Sequence, residues 1–390
     1  MQTDSPQSDA PIDGERAEGL DGLRALAAVA VVLFHLWVYS APLAPGAALA
    51  TPGQYVWESA RDGLLLFFVL SGFLLYRPWV LAALGRRRPP RLARYLRLRA
   101  ARIAPGYYLA LAGALAIAVL GSAPPMRLPT HGTLPLFLVF GQNFSDHSLN
   151  TLDTPMWTLP IEVCFYLSLP LLGLVTLQLG HGRARQALVP VCLIALGVAW
   201  TQLATGLWFS GVVLPRMLPF FGLGMLVAVL VAGTVVPSRA CRWLVIAFPI
   251  VYLVSLAIRA TAPEGVWLVG DIAVAAGFAG LVAVAAAGNW MPSPLRARPV
   301  VWLGTISYGI YLWHLPVMCL LGGHGLLPRA AWLELPLVAP PTLLLAWASW
   351  RFVEAPVLRR AHRRAEPIAP AGTQLRDLGS RNPVLLPRHA

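Results

Sequence analysis

Apolar and polar positions alternate along this chain in long blocks, not at the short periods of a soluble domain. A helix needs roughly 20 apolar residues to cross a ~30 Å hydrocarbon layer. On that measure the pattern predicts spans at about 20–41, 63–84, 103–121, 157–179, 188–206, 216–233, 243–261, 267–288, 300–321 and 333–353. Residues 1–19 form a Ser/Asp/Pro/Gly-rich tail expected to be disordered. Residues 20–356 read as one transmembrane unit, and 357–390 as a basic Pro/Arg-rich tail. Between the third and fourth spans lies a long connection with its own apolar piece, LPLFLVF (Leu134 to Phe140), too short to cross a bilayer. It reads as a re-entrant or interfacial segment. The fold class is all-α: a polytopic membrane protein of about ten helices. No internal repeat is visible, which argues against the inverted-repeat transporter plan.

Composition agrees with this picture. Of 390 residues, 57% are hydrophobic and 12% charged, and the mean hydropathy is +0.65. The formal charge of +13 comes from 30 basic residues, all arginine. They cluster in the short connections, at Arg86–Arg102, Arg183/Arg185, Arg239/Arg242, Arg296/Arg298 and Arg359–Arg364. The opposite side keeps Arg61, Arg127, Arg216, Arg259 and Arg329. Such asymmetry marks cytoplasmic loops and puts both termini in the cytoplasm, so the charge is a topology signal and nucleic acid is not an expected partner. No cleavable signal peptide is evident, and multi-pass insertion in the plasma membrane is expected. The four cysteines, Cys164, Cys192, Cys241 and Cys319, form no CxxC pair and read as buried free thiols.

Chemistry is sought where a polar residue is costly. The first span, LDGLRALAAVAVVLFHLWVY, carries Asp21, Arg24 and His35. Arg24 and His35 are eleven residues apart, three turns, and so share a face about 16 Å apart along the axis. If Arg24 marks the membrane surface, His35 lies roughly halfway through a ~30 Å core, where an imidazole is a functional candidate by default. The competing reading is a histidine bonded to a neighbouring carbonyl. Neutral imidazole suits proton abstraction from a hydroxyl. In the basic block, Arg91, Arg94, Arg99 and Arg102 recur at helical spacing, and guanidinium pairs bind phosphates bidentately. Arg99 and Arg102, with Arg24 across the same surface, suit a phosphate-rich donor.

Glu162, in the apolar run after Trp157, is the next costly residue, with Tyr166 one turn on. It reads either as an interfacial carboxylate satisfied by water or as a group that orients an imidazole or binds an acceptor. In the ninth span, Ser307, Tyr311 and His314 fall on one face, while Gly304, Ser307 and Gly309 also suit helix packing. Ser71 and Gly72 carry the same ambiguity. Asn143, His147 and Asp153 in the long connection are candidate acceptor contacts. His131, His181, His324, His362 and His389 lack ligand spacing, and no metal site is expected.

Taken together, LDGLRALAAVAVVLFH, FFVLSGFLL, RIAPGYY, GQNF, WTLPIEVCFYLSLP, SYGIYLWHLP and RFVEAP occur in an order and spacing that resemble acyltransferase family 3, over about Leu20 to Pro356. The resemblance implies a ten-helix O-acyltransferase with an acyl-coenzyme A donor on the cytoplasmic side and no permanently bound cofactor. It implies His35 as catalytic residue, with functional weight on Arg24, Arg99, Arg102 and Glu162. Many relatives carry a second acid and a glutamine where this chain has Val163 and Cys164. Many also carry a fused extracytoplasmic esterase-like domain, so this chain is expected to complete transfer itself or to hand over to a separate extracytoplasmic transferase.

The reading is therefore transfer of a short acyl group, acetyl in the first instance, to a hydroxyl of a carbohydrate. A macrolide or other secondary metabolite is the alternative acceptor. His35 is the expected general base, with Asp21 or Glu162 fixing its tautomer. Arg24, Arg99 and Arg102 hold the donor phosphates, and Ser71, Asn143, Trp157, Tyr166, Tyr311 and His314 contact substrate, Tyr311 by steadying an oxyanion. A proton-coupled transporter or lipid-carrier flippase is the reading from another class; donor binding separates it from the enzyme.

Overall fold

Backbone inside hydrocarbon must satisfy its own hydrogen bonds, and each apolar run accordingly folds as a helix. The computed structural model describes residues 14–40, 52–122, 126–130, 132–149, 151–204, 206–207, 211–261, 267–328 and 330–363. The chain runs through α1 (Gly14–Ser40), α2 (Pro52–Ser59), α3 (Gly63–Ala83), α4 (Leu92–Gly121) and α5 (Leu134–Leu138). It continues with α6 (Thr158–Leu179), α7 (Arg183–Leu203), α8 (Leu214–Leu230), α9 (Ser238–Thr261) and α10 (Trp267–Ala287). The last elements are α11 (Arg298–Thr305), α12 (Ser307–Gly323), α13 (Ala331–Ala348) and α14 (Ala355–Arg363). Among the described residues, eight helical segments are long and apolar enough to cross a membrane, or nine if the bent pair α11–α12 is one span. With the shorter apolar α8, all ten predicted spans have a helix.

Three details differ from the sequence expectation. Helix α1 starts at Gly14, within the segment expected to be a loose tail; most of that tail, and of residues 357–390, lies outside the described residues. Helix α4 starts at Leu92, so the second half of the arginine block, Arg94 to Arg102, lies in the first three turns of the third span. The ninth span is broken, with a 72° bend between α11 and α12 at Ile306.

Helices α1 and α3 form the centre. Leu23, Leu36, Leu66, Phe68 and Phe73 are fully buried, whereas only 11% of the apolar window of α9 is buried, against 67% for α2 and α3. Glycines allow close helix crossings. A Cβ on Gly304 would overlap the carbonyl oxygen of Asp21, and one on Gly72 that of Phe221. Prolines inside α3, α4, α6 and α8 are tolerated because neighbouring helices and local adjustments re-satisfy freed backbone groups.

Where α9 and α10 meet the start of α3, Arg259 donates to both oxygens of Asp62 at 2.9 Å and to Asp271 at 2.8 Å. Asp62 and Arg259 are buried. Removing Arg259 leaves the buried Asp62 carboxylate without its ion-pair partner. Arg259→Ala is expected to cost about 3–5 kcal/mol, read as a lower thermal midpoint in detergent; an unchanged midpoint would rule this out.

The connection between α4 and α6 is tied down residue by residue. Tyr107 and Tyr108 of RIAPGYY donate to the carbonyls of Phe137 and Leu138 at 2.6 and 2.8 Å, holding LPLFLVF against α4. Gln142 donates to Met156 O at 3.0 Å. Asn143 spends both amide protons, on Trp157 O and Val212 O, each at 2.7 Å.

Candidate functional site

Two adjoining cavities open into the bundle. The deeper one, of about 350 Å³, is walled by α3, α4, α6 and α12, with Ser71, Glu162, Tyr166, Ser307, Tyr308 and Tyr311 among its lining residues. The shallower one, of about 320 Å³, is lined by Asp21, Thr305, Trp350 and His362. Arg24, Arg99 and Arg102 line both. The three guanidinium groups thus form a collar between a vestibule and a chamber.

The arginines are held differently. Arg24 pairs with Asp21 one turn earlier. Arg102 lies 3.7 Å from Glu354 and 5.5 Å from the ring centroids of both Tyr308 and Trp350, so charge and aromatic faces fix its plane. Glu354 is buried and accepts from Ser349 at 2.8 Å. A π turn at Ser349–Glu354 extends α13 and turns this carboxylate inward. Arg99 Nε is buried with no hydrogen-bond partner among the described residues. An orphaned guanidinium nitrogen beside two further arginines fits an anionic ligand.

In the chamber, Glu162 accepts from Tyr166 at 3.2 Å and, more weakly, from Ser71 at 3.4 Å. His35 is not among the residues lining this chamber. The link to it runs through His314: the ring of Tyr311, in the chamber wall, packs edge-on to Phe67 at 6.1 Å and sits 6.0 Å from the ring of His314. His314 Nε2 is in turn 3.2 Å from His35 Nδ1. Tyr39 stacks on His35 at 6.0 Å and 16°.

Several expectations need correction. Asp21 does not reach His35: fourteen residues put it about 21 Å away along α1, and its carboxylate is taken by Arg24. Glu162 bonds Ser71 and Tyr166, not an imidazole. Neither sets the tautomer of His35, whose bonds go to Val31 O and His314. His314 is fully buried with both ring nitrogens engaged, so it is not a substrate contact. Asn143 is a buried strut, and half-buried Trp157 stands outside the chamber. Tyr311 lines the chamber, but its hydroxyl donates to Pro155 O at 2.6 Å and shares a 2.7 Å bond with Thr158, so its proton is committed and not free for an oxyanion. Ser71, Tyr166, Arg24, Arg99 and Arg102 line the chamber. Glu354 and Tyr308 were not singled out; a carboxylate inside the apolar run RFVEAP was the available signal for the first.

Asp153, just before α6, is buried with neither carboxylate oxygen hydrogen-bonded. Burial pushes its carboxyl well above the usual aspartate range. The folded state therefore holds this proton to higher pH than the unfolded chain, and stability falls as pH rises from the ordinary aspartate value through the raised one. Asp153→Asn is expected to remove that slope and to raise the thermal midpoint at neutral pH; an unaltered slope would show the carboxyl is not the source.

Among the described residues, no group of His, Cys, Asp and Glu could hold a metal ion. The family described as an acyltransferase domain matches residues 18–351. The peptidoglycan O-acetyltransferase OatA of Listeria monocytogenes is 25% identical over 376 residues, 87% of this chain and 55% of that protein. A putative peptidoglycan O-acetyltransferase, YrhL of Bacillus subtilis, is 26% identical over 88% of this chain and 55% of its own length. The O-acetyltransferase OatA of Staphylococcus aureus is 24% identical over 88% and 58%. The chain thus spans little more than half the length of these relatives. No solved structure matches it significantly.

Proposed function

The chain belongs to acyltransferase family 3, and from that premise we propose that it transfers an acetyl group from coenzyme A to a hydroxyl of a cell-envelope carbohydrate. It is a multi-pass protein of the plasma membrane. The single observation that carries the reading is the arginine collar: three guanidinium groups, one with a bare buried nitrogen, at the throat of a chamber inside a membrane bundle. The nucleotide phosphates of the donor sit on Arg24, Arg99 and Arg102 at the cytoplasmic side, and the pantetheine arm runs past Ser71, Glu162 and Tyr166. The thioester end is carried toward the Tyr311 wall of the chamber, beyond which His314 and His35 lie.

There the acceptor oxygen attacks the thioester carbon while its proton passes to His35. The carbon–sulfur bond then breaks, and the departing thiolate recovers the proton from the imidazolium. The names of the relatives favour an amino sugar of peptidoglycan as acceptor.

The test is ligand binding before chemistry. Coenzyme A is expected to raise the thermal midpoint of the purified protein, and Arg99→Ala with Arg102→Ala to abolish that rise. A midpoint insensitive to coenzyme A in the unmodified protein, with substrate-dependent proton flux and no acyl product, would replace this reading with a transporter.

A further inference from the structure

The two imidazoles admit one proton arrangement. His35 Nδ1 lies 2.8 Å from the Val31 carbonyl, which can only accept, so that nitrogen carries a proton. The same Nδ1 lies 3.2 Å from His314 Nε2, which must therefore present a lone pair. His314 keeps its own proton on Nδ1, 3.2 Å from Ile310 O. What remains is His35 Nε2: unprotonated and unspent.

We propose that His314 is the positioning residue of the site, locking His35 in its Nδ1–H tautomer so that the Nε2 lone pair faces the reacting hydroxyl. The inference rests on the reading of His35 as general base and adds which nitrogen acts and what holds it. Both faces of the pair are constrained. Tyr39 stacks on His35, Phe34 meets its edge at 5.0 Å, and the His314 side chain is fully buried. Helices α11 and α12, on either side of the bend at Ile306, both pack against α1.

A neutral ring does here what a carboxylate does in a serine-hydrolase triad, without a second charge inside the membrane. When Nε2 takes the hydroxyl proton, the new imidazolium shares its Nδ1–H between Val31 O and the His314 lone pair. The proton goes no further. Passing it to His314 would leave two lone pairs, on His35 Nδ1 and Val31 O, facing each other at 2.8 Å.

Two measurements test this, and the first needs no variant. Nitrogen NMR of the full-length protein labelled at histidine is expected to show His35 protonated at Nδ1 alone at neutral pH; protonation at Nε2 overturns the proposal whatever the activity. In the second, turnover is compared between His314→Ala and His314→Gln, since the glutamine oxygen can stand where Nε2 stood. The alanine variant is expected to lose about 10- to 100-fold in kcat, the value of a hydrogen bond to a charged group, with KM for acetyl-coenzyme A unchanged and the His35 tautomer mixed. The glutamine variant is expected to recover most of the loss and the single tautomer. Equal activity in the alanine variant, or equal loss in both variants with the Nδ1–H signal intact, overturns it. Full activity of His35→Ala would instead strike the general-base reading and leave the tautomer assignment standing.

Discussion

His35→Ala is expected to lower acetyl transfer by about 10²–10⁴-fold, the value of a positioned general base, while coenzyme A still raises the thermal midpoint. Both halves follow from geometry. The arginine collar is three turns away along α1, about 16 Å, and His35 is absent from the chamber that would hold the donor. Loss of the ring therefore removes proton transfer without touching phosphate contacts. Purified variants assayed with radiolabelled acetyl-coenzyme A separate the two effects. Activity within tenfold of the unmodified enzyme would mean that another group takes the proton.

Arg99→Ala and Arg102→Ala are each expected to raise KM for acetyl-coenzyme A about 10- to 100-fold, since a charge-assisted hydrogen bond contributes ~1.5–3 kcal/mol. The two positions should respond differently to lysine. Arg102 is held flat between Tyr308, Trp350 and Glu354, and an ammonium cannot reproduce that stacking. Arg102→Lys is therefore expected to behave like Arg102→Ala, while Arg99→Lys retains part of its function through charge. Recovery by Arg102→Lys to the unmodified KM would show that the planar mount is irrelevant.

Sequence patterning was a good guide wherever the physics is local. Run length located ten helices, and the recurrence of Arg91, Arg94, Arg99 and Arg102 reported a helical face that begins within one turn of Leu92. Costly residues in apolar runs single out Arg24 and Glu162, which line the chamber, and His35, which does not. The bend at Ile306 was hidden because the apolar run continues through it; beside it Gly304 closes on Asp21 of α1, a contact between residues 283 positions apart. The partnership of His35 and His314 was hidden for the same reason. Reasoning from neighbours suggested Asp21, but Arg24 one turn away captures that carboxylate first. Asn143 misled because an amide in a loop looks the same whether it awaits a ligand or bridges two carbonyls.

Central to the account is a donor that enters by the arginine collar and gives up its acyl group inside the membrane. Sealed vesicles of known orientation test that directly, with free coenzyme A thiol as the readout and a chitooligosaccharide on the far side as acceptor. In vesicles that expose the α1 amino-terminal end outward, added acetyl-coenzyme A is expected to be consumed, and the His35→Ala protein to leave it intact. Vesicles of the opposite orientation should consume it only after detergent opens them. Consumption by those vesicles while still sealed would contradict the account.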